Sequence, residues 1–249
     1  MEQNQVQVEL GTWITRSDEG ITEVLAKSGY FDWLCIDMEH SCIDFSGAER
    51  LIRTIQNCRV EAFVRIAGND DVIIKKILDA GADGIIVPMV NSPAEVIKAK
   101  NACFYPPHGK RGIGLARAQN YGESFKTYYS KTQKETKLII QIEHIDAVRN
   151  IEEIFSEKGI YGYFIGPFDL SGSMEIAGQF EHPEFGKAID RIRQAGLKHN
   201  IRSGFHSVWP ESEEVSARLK EGYQILGVSF DMQFLIHSMN KLMQEIRQK

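Results

Sequence analysis

The chain has 249 residues, 43% hydrophobic and 25% charged, with a formal charge of −5, a composition that suits a globular protein with a large core. It carries no Lys/Arg block of the kind that grips nucleic acid and no apolar run near the roughly 20 residues that span a bilayer, so neither is an expected partner. The four cysteines form no Cys-x-x-Cys pair and the N-terminus MEQNQVQVEL is polar and unlike a signal peptide, which predicts a reduced, cytoplasmic protein.

Short apolar runs predict strands over residues 11–15, 33–37, 61–65, 84–88, 138–143, 161–166, 202–206 and 224–229, with a helix available after each. The stretch EAFVRIAGNDDVIIKKILDAGADGIIVPMV shows the repeating unit. A strand ends at Arg65, and Asn69 and Asp70 can cap a helix. That helix carries Val72, Ile73, Ile74, Ile77 and Leu78 at helical spacing and ends near Gly81. Eight such units in one chain of this length predict a single (β/α)8 TIM-barrel domain over 1–249. The longest irregular piece is 105–121, and a loop of that length in a compact barrel is usually functional.

Active sites of such barrels lie at the carboxyl ends of the strands. There the sequence places Asp37, Glu39 and His40 after the second strand and Arg65 closing the third. Gln141 and Glu143 follow on the fifth, Gly166 to Asp169 on the sixth, His206 on the seventh, and Ser229 and Asp231 on the eighth. Glu143 and Asp169 are candidate ligands of a hard divalent cation such as Mg2+ or Mn2+; the alternative is that Asp169 caps a helix while Glu143 pairs with Arg65 or Arg149. Arg65 can hold a carboxylate through parallel hydrogen bonds, or serve a structural ion pair with Glu39 or Glu143. Asp37 and His40 can form a proton-transfer dyad, or Asp37 binds backbone and His40 is an ordinary loop histidine. Lys110, Arg111 and Arg117 in YPPHGKRGIGLARAQNYG can bind an anion or an interface, or be solvated. The strand ends offer no lysine for Schiff-base chemistry, so carbanion chemistry here would draw on a metal as electron sink.

In order and spacing, the stretches GTWITRSDEGITEVLAKSGYFDWLCIDMEH, VRIAGNDDVIIKKILDAGADGIIVPMV, YPPHGKRGIGLARA, IIQIEH and YFIGPFDLSGSM resemble the class II pyruvate aldolases of the HpcH/HpaI aldolase and citrate lyase family over about residues 11–234. The resemblance implies a pyruvate-type barrel, commonly a hexamer or trimer of dimers with the eighth helix exchanged between subunits. It implies a metal at Glu143 and Asp169 (Mg2+ or Mn2+, with Co2+ or Zn2+ as alternatives), and Arg65 on the pyruvate end. It also implies an Asp37–His40 pair, Gln141 in the pocket, and the backbone of Gly166, Pro167 and Phe168 receiving the substrate carboxylate. Asp79 matches a residue that reaches a neighbouring subunit's site. The expected reaction cleaves or forms a 4-hydroxy-2-oxo acid to pyruvate and an aldehyde, with Arg65→Ala losing activity while folding survives. Phe168 and Met38 stand where small residues are common, and RSGFHSV departs from the family's wording. The rivals are a citrate-lyase-like or malyl-thioester-like lyase or synthase, a barrel that binds a carboxylate without chemistry, and a phosphosugar barrel. The last lacks its glycine pair.

Overall fold

The computed structural model describes residues 8–248. Most of the polar N-terminal stretch discussed above, residues 1–7, lies outside them. Eight parallel strands close a barrel in sequence order: β1 Glu9–Ile14, β2 Trp33–Asp37, β3 Glu61–Arg65, β4 Gly84–Val87, β5 Lys137–Ile142, β6 Gly162–Ile165, β7 Arg202–Ser207 and β8 Ile225–Phe230. The helices around it are α1 Glu19–Lys27, α2 Phe45–Asn57, α3 Asp71–Asp79, α4 Pro93–Cys103, α5 Phe125–Glu135, α6 Ile145–Arg149, α7 Ile151–Ser156, α8 Pro167–Ser173, α9 Pro183–Lys198, α10 Ser212–Lys220 and α11 Asp231–Arg247. The predicted barrel is therefore correct, and its strand limits agree within about two residues. One helix per connection was too simple. The β4–β5 connection carries two, and those after β5 and β6 are each split into two. No helix among the described residues is long and apolar enough to cross a membrane.

Side-chain alternation along the strands creates two apolar layers. Trp33 and Cys35 on β2, Phe63 on β3, Ile86 on β4, Ile139 on β5, Phe164 on β6 and Ile225 on β8 fill the barrel interior, together with Trp13. Their odd-for-even neighbours Leu34, Ile36, Val64, Ile85, Ile140, Tyr163 and Leu226 pack outward against the helices. Space for the interior rings comes from glycine: a Cβ on Gly11 would lie 2.0 Å from the Trp33 ring.

Parity also decides what stands above and below that interior. At the amino ends of the strands, Lys137 bonds Glu61 at 2.6 Å and Arg202 meets Glu9 at 3.2 Å, closing the floor with paired charges. At the carboxyl ends, the same inward face continues through Asp37, Arg65, Gln141 and His206. Asp231 holds this end together. Its carboxylate accepts from the Thr15 and Arg16 backbone at 2.9 and 3.0 Å and from Thr15 Oγ1 at 2.6 Å, fastening α11 to the end of β1.

Helix starts follow side-chain caps. Asp70 Oδ1 accepts from the N–H groups of Val72 and Ile73, as the DD-V-I-I pattern predicts. His144 begins α6 by accepting from Asp146 N at 3.1 Å.

Candidate active site

Asp37 and Arg65 are register partners at the ends of adjacent strands. Arg65 Nε donates to Asp37 Oδ1 at 2.9 Å and Nη2 to Oδ2 at 2.7 Å. The guanidinium also lies 4.6 Å from the centre of the Trp13 ring, and its Nε is 3.3 Å from Glu39 Oε2. Asp37 is buried. Its Oδ1 accepts the backbone N–H groups of Glu39 and His40 at 3.1 and 3.3 Å, which bends the loop after β2 and brings Glu39 back over the barrel mouth.

Glu143, one residue beyond β5, is also buried. Its Oε1 accepts from Met89 N at 2.7 Å, and Met89 adopts the left-handed φ of 53° to present that N–H. Gln141 Nε2 bonds the other oxygen. Burial pushes the Glu143 carboxyl up to about 7; Glu39 and Asp169 add repulsion, and the Met89 and Gln141 hydrogen bonds oppose it. Burial likewise raises Glu39, against the charge of Arg65 and with Asp37 and Asp169 adding to it. The Glu39 Oε2 and Gln141 Oε1 atoms are buried without a hydrogen-bond donor.

Gly166 leaves β6 beside this carboxylate. A Cβ there would lie 2.5 Å from Glu143 Oε2 and 2.7 Å from Glu143 Cβ, so only glycine leaves the oxygen its place. Pro167 then opens α8 and Asp169 sits exposed in its first turn. On the opposite side, His206 Nε2 is 2.9 Å from the Ser229 carbonyl. Since a carbonyl only accepts, that nitrogen carries the proton. Burial lowers this imidazole to about 4, so it is neutral near pH 7.

A cavity of about 260 Å³ gathers His40, Arg65, Gln141, Gly166, Pro167, Phe168 and Asp169, with Trp13, Phe164, Ile165, His206 and Val208 completing its wall. Glu143 stands directly behind it, bonded to Gln141 and packed on Gly166. The structure thus brings together most of the sequence candidates.

One expected arrangement is replaced by another. Asp37 does not orient the His40 ring: its oxygens are taken by Arg65 and by backbone, while the His40 side chain is 64% exposed with Nε2 3.7 Å from Glu39 Oε2. Asp79 lies at the end of α3, outside this cavity, where its carboxylate bonds Arg111 at 2.6 Å. Arg111 is itself buried, 4.7 Å from the centre of the Tyr105 ring. Arg117 donates to Ala80 O at 2.8 Å and Gln56 Oε1 at 2.9 Å. These loop arginines therefore secure the carboxyl end of α3, whose carbonyls attract cations. Arg149 pairs with Asp146 at 2.7 Å and leaves Glu143 alone.

Among the described residues no three His, Cys, Asp or Glu side chains are grouped so as to hold a metal ion by themselves. The available donors are the Glu143 and Asp169 carboxylates with Glu39 nearby. Sequence reasoning gave Glu39 only a passing place and assigned nothing to Trp13 or His206. Trp13 and His206 share the inward parity of their strands, a signal present in the sequence. Glu39 depends on the loop turn that Asp37 creates.

The HpcH/HpaI aldolase/citrate lyase family model matches residues 9–238. A 2-dehydro-3,6-dideoxy-6-sulfogluconate aldolase of Pseudomonas putida is 34% identical, over 94% of this chain and 91% of that protein. A hydroxypyruvate/pyruvate aldolase of Sagittula stellata is 37% identical, over 85% of each. Among solved structures, an HpcH/HpaI aldolase/citrate lyase family protein from Burkholderia cenocepacia superposes with a TM-score of 0.91 at 27% identity, covering 98% of this chain and 96% of that one.

Proposed function

The chain belongs to the HpcH/HpaI aldolase/citrate lyase family, and from that premise we propose that it is a carbon–carbon lyase that cleaves or forms a 4-hydroxy-2-oxo acid, with pyruvate and an aldehyde as the other side of the reaction. The observation that carries this reading is the cavity at the carboxyl ends of the strands, which holds His40, Arg65, Gln141 and Asp169 with the Glu143 carboxylate bonded to Gln141 behind it.

Glu39, Glu143 and Asp169 repel one another, and the one guanidinium beside them is already matched by Asp37. At this site the buried Glu39 Oε2 and Gln141 Oε1 atoms accept no hydrogen bond. An all-oxygen donor set with surplus negative charge fits a hard dication, Mg2+ or Mn2+, held by Glu143 and Asp169. When bound, such an ion supplies Lewis-acid stabilisation of negative charge on the keto oxygen.

The chain's own residues do the rest. Asp37 holds the Nε and one Nη2 hydrogen of Arg65, which leaves the Nη1 hydrogens to donate to the substrate's developing oxyanion from a fixed position. The backbone at Gly166, Pro167 and Phe168 receives the substrate carboxylate; Pro167 has no N–H and that of Gly166 donates to Ile142 O, so the donor is the Phe168 N–H in the opening turn of α8. His40 removes the proton of the 4-hydroxyl. The C3–C4 bond then breaks, C4 leaves as the aldehyde carbonyl, and C3 retains the electron pair and takes up a proton to give pyruvate. His40 is exposed at the mouth, where its proton exchanges with solvent.

The chain is also proposed to assemble with copies of itself. Leu235, Met239, Leu242 and Ile246 on α11 are 52, 52, 57 and 55% exposed, and they form one apolar stripe that supports this reading. Asp79 is proposed to reach a neighbouring copy's site once its bond to Arg111 rearranges.

The test is pyruvate release from a panel of 4-hydroxy-2-oxo acids with Mg2+ or Mn2+, run beside citrate and malyl-thioester cleavage. Aldol cleavage is expected. Thioester or citrate cleavage alone would move the chain to a lyase of that kind, and cation-dependent ligand binding without turnover would reduce it to a carboxylate-binding barrel.

A further inference from the structure

Much of the cavity wall is apolar, with Trp13, Phe164, Pro167, Phe168 and Val208 among its lining residues. Phe168, immediately before Asp169, is 58% exposed although it lines the cavity. It is held there by other rings. Phe180 meets it edge-on, with centroids 5.1 Å apart at 85°, and Phe180 in turn contacts Phe185 at 5.5 Å. Phe185 is only 6% exposed and belongs to the outer core. The Phe168 ring is thus propped at the mouth by a row of aromatics rooted in the fold. Val208 and Phe164 extend the same surface, and His206, lowered to about 4, adds no charge to it.

Charge in the cavity is sparse: Arg65 and Asp169 are the only Arg, Lys, Asp or Glu among its lining residues. Of the residues that line it, Arg65 is the sole permanently charged cation, and both of its ion-pair partners, Asp37 and Glu39, are already in place. Arg16, exposed at the end of β1, does not line the cavity. A substrate whose leaving aldehyde carried its own carboxylate or sulfonate would set that group against phenyl and valyl surface beside Asp169, while Arg65 is already paired by Asp37 and a bound dication would be engaged by the pyruvate end. An uncharged apolar substituent would instead remove Phe168 and Val208 from water. The volume, about 260 Å³, is below the usual range for drug-sized ligands and leaves room for one ring or branched chain beyond the pyruvate unit.

We propose that the aldehyde partner bears an uncharged apolar substituent, aromatic or branched aliphatic, and that the Phe168 ring sets this preference. The proposal rests on the aldolase reading given above. In the synthetic direction, C3 of pyruvate loses a proton and its electron pair attacks the aldehyde carbon. The carbonyl oxygen takes up the proton as the new 4-hydroxyl. No other reactant is consumed.

The experiment begins with the wild-type protein and Mg2+ in D2O, following exchange of the pyruvate methyl protons by NMR; this half-reaction needs no aldehyde. Absence of exchange overturns the aldolase reading and this inference with it. With exchange present, kcat/KM for aldol addition is measured with benzaldehyde, isobutyraldehyde and succinic semialdehyde. At least tenfold preference for the apolar pair is expected; preference for the acid overturns the inference and leaves the aldolase reading standing. The ratio of benzaldehyde to succinic semialdehyde kcat/KM is then taken in Phe168→Ala and expected to fall at least fivefold, chiefly through KM. An unchanged ratio overturns the role of Phe168. Phe180→Ala, which removes only the ring that props Phe168, is expected to shift the ratio in the same direction and decides the matter if the first variant does not fold.

Discussion

Arg65 and Asp37 are joined by a two-pronged ion pair, Nε to Oδ1 at 2.9 Å and Nη2 to Oδ2 at 2.7 Å, across two neighbouring strands whose ends are in register. The aspartate therefore aims the arginine, where the family resemblance implied a pair with His40; the alternative that it binds backbone is also met, at the N–H groups of Glu39 and His40. A buried carboxylate and a nearly buried guanidinium at this spacing depend on each other.

Removing the arginine consequently affects more than chemistry. Arg65→Ala is expected to abolish turnover and also to cost about 3–5 kcal/mol of stability, because Asp37 is left buried without its counter-charge. Adding Asp37→Ala should restore part of that loss, with a coupling of roughly 1–3 kcal/mol in a double-mutant cycle by urea denaturation. Full stability in the single variant would contradict the pairing.

Glu143 predicts a pH dependence of stability. Its carboxyl titrates at 4.5 unfolded and about 7 in the fold. Below pH 4.5 both states are protonated, so the group carries no penalty. Between 4.5 and 7 only the folded state keeps the proton, and stability falls as pH rises. In chelator-treated protein the group should remove about 3 kcal/mol across that window. Glu143→Gln should flatten the loss, read as the difference in Tm between pH 5 and pH 8. His206, lowered to about 4, works the other way and destabilises the fold as pH drops below 6.5. Comparison with the Gln variant isolates the Glu143 share.

Added Mg2+ or Mn2+ should raise Tm more at pH 8 than at pH 5, since a cation binds the ionised carboxylates and competes with protons. A concentration a hundredfold above Kd would add about 2.7 kcal/mol. Glu143→Gln and Asp169→Asn should each remove the response and the cation-dependent turnover. Unaltered cation stabilisation in both would relocate the ion.

Gly166 offers a steric test free of backbone strain, because its φ of −96° suits any residue. Gly166→Ala should force the Glu143 carboxylate aside, cost about 1–3 kcal/mol of stability and weaken cation binding at least tenfold by titration calorimetry. Gly68→Ala, where a Cβ meets nothing within 4 Å, should be neutral in both measurements.

Much of this was legible before folding. Asp37 lies two residues beyond Cys35 and four beyond Trp33, so the face that carries those core side chains also carries the carboxylate. The same holds for Arg65 after Phe63 and for Gln141 after Ile139. Parity could equally have drawn in Trp13 and His206. The long 105–121 loop was visible as a loop, yet its arginines bind the end of α3, a contact between segments that pattern alone does not connect.

What the sequence determined by itself was the barrel, its order and the set of side chains at its mouth, because strand alternation and helix periodicity are local and repeat along the chain. What only the tertiary structure decided was partnership: Asp37 with Arg65 rather than His40, Glu143 with Met89 rather than an arginine, Asp79 with Arg111. Hydrogen bonds and ion pairs act over a few ångströms between residues tens of positions apart, so they are set by strand register and loop shape, which no local pattern records.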